Sequence, residues 1–199
     1  MLSMVLQNAE ENLDNPEFRK DMIRTMDGVG KRIRRLIRRL STPLEHESLE
    51  FRQTDPKELV EETLKMTGIA ELPNIQFQKE LEAVPAVSVA SAEIQKVIQN
   101  LIINATEAIE GKGEVQVRLD QHGLYVRIEV RDTGCGMSRD YMQNSLFKPF
   151  RTSKPKGLGI GLYQCKAIVE AHRGRIEVES TQGVGSQFRV LLPLQKLGK

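Results

Sequence analysis

Apolar residues recur at steps of three and four at Phe18, Met22, Met26, Val29, Ile33, Leu36, Ile37 and Leu40. That is the spacing of one helix face. Asn15 and Pro16 stand just before it and read as an N-cap and a first helical residue. Residues 1–13 read as the end of a preceding helix, with "DNPEF" as the turn between the two. The expectation for residues 1–48 is a helical hairpin whose apolar seam needs a partner, most simply a second copy of the chain. Pro43 ends the helical region.

After Pro43 the periodicity changes. Short runs at 49–54, 74–81 and 85–89 read as strands, and "TDPKEL" reads as a helix start capped by Thr54 or Asp55, with Pro56 in the first turn. Residues 91–109 have the pattern of a strong helix, with Ser91 as a candidate cap. "EVQVRL" (114–119) and "LYVRIEVR" (124–131) alternate as strands around a turn at His122 and Gly123. Helices are predicted over 138–146 and 158–172, and strands over 174–180 and 186–193. Helices mixed with hairpin-connected strands predict an α+β fold over 49–199. Its layout would be a two-layer α/β sandwich, with helices on one face of a largely antiparallel sheet.

Composition narrows the function classes. The chain has 199 residues, 39% hydrophobic and 28% charged, as expected of one ordinary soluble domain with an added element. A net charge of +2, no Trp and 5% aromatic residues argue against a nucleic-acid stacking platform. No apolar run is long enough to span a membrane, and the N-terminus lacks the layout of a signal peptide. Cys135 and Cys165, the only cysteines, fit no zinc spacing and point to a reducing cytoplasm rather than a disulfide. The run "KRIRRLIRRL" places six basic residues between Lys31 and Arg39. It reads either as a docking surface for an acidic protein, a membrane surface or nucleic acid, or as the solvated face of the helix.

Three stretches carry candidate chemistry. "KGLGIGLYQ" (156–164) alternates Gly157, Gly159 and Gly161. It is not a Walker loop, because Leu162 rather than Lys follows Gly161, and no strand leads into it as a dinucleotide fingerprint requires. A flexible segment feeding a helix N-terminus remains, where backbone N–H groups favour an anion; the alternative is a plain turn. "RDTGCGM" (131–137) follows the strongest strand. Asp132 at a strand end can accept from the exocyclic amine of adenine, while Gly134 and Gly136 let the backbone come close; the alternative is a solvated turn carboxylate. "IQNLIINATEAIE" (98–110) puts Ile98, Leu101, Ile102, Ala105 and Ile109 on one helix face and Asn100, Asn104 and Glu107 on another. Amide oxygens there suit Mg²⁺ carried by phosphates; the alternative is a solvated polar face.

Taken in order, "NLIINATEA", "DTGCGM", "LFKPF" and "GLGIGL" resemble the four boxes of the histidine-kinase ATP-binding domain, within the superfamily that includes gyrase, Hsp90 and MutL ATPases. The resemblance covers about residues 50–195, and "GVGSQFRVLLP" is similar to that family's closing strand. The wording of the boxes resembles kinases with a short ATP lid, including nitrogen-regulation sensors. The segment "NAEENLDNPEF" also resembles sensor kinases of exosortase (PEP-CTERM) systems. The resemblance implies a Bergerat-type fold that binds Mg-ATP. Asn104 would ligate Mg²⁺ with Asn100 close by, and Asp132 would accept from adenine. Gly134, Gly136 and Met137 would line the base pocket with Glu107 nearby, and Ser186 would sit beside Asp132. Phe147 and Phe150 would anchor a lid, with Thr152, Lys154, Gly157, Leu158, Gly159, Ile160, Gly161 and Leu162 closing over the phosphates. Asn100, Asn104 and Lys154 would carry the catalytic roles. The implied partners are ATP, a response-regulator receiver domain and a second copy of the chain, with no direct nucleic-acid or membrane contact. The implied location is cytoplasmic, with any membrane anchor in a region N-terminal to this sequence.

The chain departs from the family pattern in three places. Glu107 and Ala108 stand where a basic residue and an aromatic are usual, which shifts the expected phosphate contact to Lys154. Ala90 occupies a position usually held by a capping aspartate. No histidine suits the phosphoacceptor. His46, though followed by Glu47, lies beyond Pro43; His122 is in a hairpin turn; His172 ends a helix, where capping or packing is its ordinary role. The expectation is a core that begins just after the phosphorylation site and binds ATP without autophosphorylating. The competing readings are an ATP-hydrolysing machine of the gyrase or chaperone type and a non-enzymatic ATP-sensing or receiver-docking module. The first is disfavoured because Asn100 stands where those proteins have a general-base glutamate. A serine kinase of an anti-anti-sigma partner shares the fold but normally lacks the helical hairpin.

Overall fold

The computed structural model describes residues 15–41, 49–152 and 158–194, with backbone alone at 32–41. The chain divides into two compact units between Thr42 and Pro43. In the first, α1 spans Pro16–Ser41. Oδ1 of Asn15 accepts from the N–H of Glu17 at 3.0 Å and of Phe18 at 3.4 Å, so the cap forms as expected. Phe18, Met22 and Val29 are half-buried, Met26 is exposed, and no described side chain of this helix is buried. The helix expected over 1–13, His46 and the side chains of Arg32, Arg34, Arg35, Arg38 and Arg39 lie outside the described residues.

The second unit opens with β1 (Arg52–Thr54), which pairs antiparallel with β3 (Val87–Val89). Between them, α2 (Pro56–Thr67) is capped by Asp55, which accepts from the Lys57 N–H at 2.7 Å, and ends on Gly68 in the left-handed region. Then follow β2 (Ile75–Leu81), α3 (Ser91–Glu107), β4 (Gly113–His122), β5 (Tyr125–Asp132), α4 (Arg139–Asn144), α5 (Gly161–Ala171), β6 (Arg175–Thr181) and β7 (Gly185–Pro193). The main sheet runs β2-β4-β5-β7-β6, parallel only between β2 and β4. A two-residue turn at Gly123 and Leu124 joins β4 to β5, so His122 closes the strand opposite Tyr125 rather than sitting in the turn itself.

Alternation sorts the sheet into two faces. Val115, Val117 and Leu119, with Val126, Ile128 and Val130 and with Phe188, Val190 and Leu192, point to one side. They form one apolar cluster with Leu59, Val60 and Leu64 of α2, six residues of α3, and Cys165, Ile168 and Val169 of α5. The opposite face carries cross-strand ion pairs: Asp120 holds Arg127 through both carboxylate oxygens, and Arg189 bridges Glu129 and Glu179 at 3.0 and 2.7 Å. The α+β two-layer expectation holds.

A second local expectation is corrected. Ser91 does not cap α3. Ala90 occupies the N-cap position and no side chain of the helix caps it. The Ser91 hydroxyl instead meets the Thr54 hydroxyl at 2.8 Å. Ser91 is already the first helical residue, one place too late to reach the N–H groups of the opening turn.

Candidate nucleotide-binding site

The site is built from α3 upward. Ile94, Val97, Ile98, Leu101, Ile102 and Ala105 are buried against the sheet, which turns Asn100 and Asn104 to the flank, half-buried. The Asn104 amide nitrogen donates to Oδ1 of Asn100 at 2.7 Å. That bond commits the nitrogen side of Asn104 and makes its oxygen the atom of the amide able to ligate a cation. Glu107, one turn further, is exposed.

Asp132 ends β5 in phase with Val126, Ile128 and Val130, so it faces the helix layer. It is 5% exposed, and its Oδ1 accepts from the Gly134 N–H at 2.8 Å. The loop after it is bonded on both sides. Cys135 donates its N–H to the carbonyl of Ala108 at the end of α3 at 2.8 Å, and its own carbonyl accepts from Gly183 at 2.7 Å. Gly136 has φ +61, and a Cβ there would stand 2.0 Å from the carbonyl oxygen of Thr181. Glycine is therefore required both by conformation and by space. The Met137 N–H donates to the Ser180 hydroxyl at 2.9 Å. Ser186 sits opposite Asp132 in register, 3.0 Å from the Ser180 hydroxyl.

The third wall is the start of α5. Its N-cap residue, Ile160, provides no side-chain cap, which leaves the opening N–H groups of α5 as candidate anion donors. Gly161 lies directly on Asn100: a Cβ at this position would be 2.4 Å from Nδ2 and 2.8 Å from Oδ1. The asparagine pair of α3 and the uncapped end of α5 thus adjoin.

Between α4 and α5 the described residues are 145–152 and 158–160. Leu146 is buried, Phe147 packs on the core edge, and the ammonium of Lys166 lies 5.4 Å from the Phe147 ring centroid. Phe150 adopts φ 64 and is 45% exposed, and its N–H donates to the Gly159 carbonyl at 2.9 Å. Phe147 is therefore held by side-chain packing, and Phe150 by a backbone hydrogen bond. Thr152 and Leu158 are exposed; Ile160 and Leu162 are half-buried. Lys154 and Gly157 lie outside the described residues. Nothing in the spacing of the sequence points to Lys166, because only the fold sets it over Phe147.

Buried groups near the site are shifted by their surroundings. Burial pushes the Cys165 thiol up to about 12 and raises the Tyr141 hydroxyl. Both cysteines are free, with Cys135 exposed. Among the described residues, no group of three His, Cys, Asp or Glu side chains is placed to hold a metal ion. An amide oxygen is a hard donor, so Asn104 fits a Mg²⁺ that brings most of its ligands as phosphate oxygens and water. Also among the described residues, no helix is long and apolar enough to cross a membrane.

Residues 90–196 match the family described as histidine kinase-, DNA gyrase B- and HSP90-like ATPases. The signal transduction histidine-protein kinase AtoS of Escherichia coli is 30% identical over 98% of this chain and 32% of its own length. The C4-dicarboxylate transport sensor protein DctS of Rhodobacter capsulatus is 34% identical over 93% of this chain and 30% of its own. The chain thus spans about a third of these curated relatives. The catalytic domain of histidine kinase ThkA superimposes with a TM-score of 0.65 at 28% identity, covering 72% of this chain and 95% of that one. A further ThkA structure, solved in complex with the response regulator protein TrrA, shares the fold with a TM-score of 0.67 at 23% identity, covering 98% of this chain and 57% of that one.

Proposed function

Since the chain belongs to the family of histidine kinase-, DNA gyrase B- and HSP90-like ATPases, we propose that it is the ATP-binding catalytic core of a two-component sensor histidine kinase. The full protein moves the γ-phosphoryl group of Mg-ATP to a histidine, for relay to a receiver domain. The observation that carries this reading is the contact between Asn100 and Gly161, which sets an amide pair beside the uncapped N-terminus of α5. Phosphoryl transfer asks a protein for positioning and charge neutralisation. Asn104 contributes a Mg²⁺ ligand and the first turn of α5 contributes phosphate donors. Asp132, buried at a strand end, accepts from the adenine amino group. Gly134, Gly136 and Met137 line the base pocket, and the segment from Phe147 to Leu162 closes over the phosphates.

Neither described histidine suits the role of phosphoacceptor. His172 is buried and committed to backbone partners, and His122 closes a hairpin strand far along the sheet from Asp132. The described part of the α1 seam, with Phe18, Met22 and Val29 half-buried and Met26 exposed, supports pairing with a second chain. Asn100 forms its hydrogen bond as an amide and cannot take a proton from water, which disfavours the hydrolytic machines of the same family. On this reading the core works in the cytoplasm.

Titration with Mg-ATP and Mg-ITP tests the proposal, because inosine carries a carbonyl where adenine carries the amino group. The expected result is preference for ATP, and loss of ATP binding in Asp132→Asn with the fold retained. Equal binding of both nucleotides, or unchanged ATP affinity in the variant, would refute the adenine assignment.

A further inference from the structure

His172 closes α5 and reaches the helix that carries the asparagine pair. Its side chain is buried. Nδ1 lies 2.7 Å from the Ile168 carbonyl oxygen, one turn back in the same helix. Nε2 lies 3.0 Å from the backbone nitrogen of Ala90, at the start of α3. A backbone N–H only donates and a carbonyl oxygen only accepts. Nε2 therefore carries the lone pair and Nδ1 the proton, which specifies one tautomer of the neutral ring. The Phe51 ring lies 5.0 Å away at 51°, against the imidazole.

What this contact does follows from the start of α3. Ala90 holds the N-cap position and has no side-chain oxygen to offer. In a capping box, a glutamate at the third helical position reaches back to the N-cap N–H. Glu93 stands at that position, but its carboxylate is on Lys96 at 2.6 Å. The imidazole of His172 fills the role from another helix. At its other end α5 touches α3 again, where Gly161 lies on Asn100. The two helices run antiparallel and are joined near both ends of α5.

We propose that His172 is a positioning residue for the nucleotide site: as the neutral Nδ1–H tautomer it pins the start of α3 to the end of α5, and so fixes Asn100 and Asn104 against the turn at Gly161. The proposal rests on the reading of that turn as the phosphate end of the site. Protonation would turn Nε2 into a donor facing a donor and release the pin. Burial lowers the affinity of the ring for that proton, while the Ile168 carbonyl and the charge of Glu93 raise it. The other charged groups on the surrounding elements are the exposed Glu50–Arg52 pair beside Phe51, Lys96 on Glu93, and Lys166, Glu170 and Arg173 near the end of α5.

The experiment is calorimetric titration of a non-hydrolysable ATP analogue with Mg²⁺ into the whole chain between pH 8 and pH 5, alongside ¹⁵N spectra of the His172 ring and the Ala90 amide. His172→Gln keeps an acceptor and a donor and does not titrate; His172→Leu keeps neither. At pH 7.5, His172→Leu is expected to bind the analogue about tenfold more weakly, within the range that an unpaired buried N–H costs. His172→Gln should stay within about twofold of the parent. Below pH 6 the parent should lose affinity faster than His172→Gln; titration of the analogue's own phosphates is common to both and cancels. Parent affinity in His172→Leu, or superimposable pH profiles for the parent and His172→Gln, would overturn the proposal. If His172→Leu does not fold, the parent ring spectrum still decides: an Nε2–H tautomer at pH 7.5 excludes the pin. If the parent binds no analogue, the nucleotide reading falls, and the ring spectrum and the Ala90 amide shift still test the pin.

Discussion

Gly161 and Asn100 are in contact: a methyl group on Gly161 would stand 2.4 Å from the amide nitrogen of Asn100. The first residue of α5 therefore sets where the asparagine pair of α3 can lie. Gly161→Ala must displace Asn100 and, through its 2.7 Å bond, Asn104. Nucleotide affinity should fall by at least about tenfold, with little change in thermal midpoint, because alanine suits a helix start better than glycine. Gly136→Ala should behave differently. Its Cβ would meet backbone, 2.0 Å from the Thr181 oxygen, at φ +61. The fold itself should suffer, with a loss of about 2 kcal/mol and a midpoint roughly 5 °C lower. Calorimetry on both variants separates the two outcomes.

Asn104→Ala should abolish the Mg²⁺-dependent part of ATP-analogue binding, and Asn100→Ala should weaken it about tenfold, as loss of a partner that orients a ligand does. Titrations with Mg²⁺ and with EDTA measure both. Equal affinity with and without Mg²⁺ in the parent chain would remove the metal role from Asn104.

Stability should depend on pH through His172. Burial holds its folded-state pKa below the unfolded value. As pH falls, the unfolded chain takes up the proton first, so the contribution is complete above about pH 6.5 and is lost as pH drops toward the folded-state value. Urea midpoints between pH 8 and pH 5 should fall more steeply for the parent than for His172→Gln. A parallel fall would assign the acid sensitivity to other groups.

Thiol reactivity should split the two cysteines. Cys135 is exposed on the loop after Asp132, whereas Cys165 is buried with its thiol pushed up to about 12. A thiol reagent at pH 8 should modify one cysteine in the native protein and two in denaturant. Saturating Mg-ATP should slow the native reaction, because Cys135 borders the proposed base pocket.

On the outer sheet face, Asp120 and Glu179 predict opposite outcomes. Asp120 is 7% exposed at its side chain and holds Arg127, while Glu179 is 66% exposed. Asp120→Ala leaves a half-buried guanidinium without its main partner and should cost about 3 kcal/mol. Glu179→Ala should leave the denaturation midpoint almost unchanged, because the pair is exposed and screened by solvent. Chemical denaturation of the two variants compares them directly.

The elements were legible wherever a local rule governs them. Steps of three and four placed α1 and α3, strict alternation placed β4 and β5, and Asn15 and Asp55 cap the helices they precede. Boundaries moved inward where the outer residues bond elsewhere. The strand expected over 49–54 narrows to Arg52–Thr54, because only those residues have partners on Val87–Val89. The helix expected from 158 begins at Gly161, because the Gly159 carbonyl is taken by the Phe150 N–H.

The sequence by itself determined the α+β class, the helix face of Asn100 and Asn104, the carboxylate at the end of β5 and the glycine turns, since each follows from residue type and short-range spacing. Tertiary structure alone decided that Gly161 rests on Asn100, that Gly136 fits beneath Thr181, that Ala90 is capped by His172 and that Lys166 covers Phe147. Those pairs are separated by 19 to 82 positions in the chain. Their meeting depends on how one sheet face gathers α3 and α5 over a shared core, which no local period encodes.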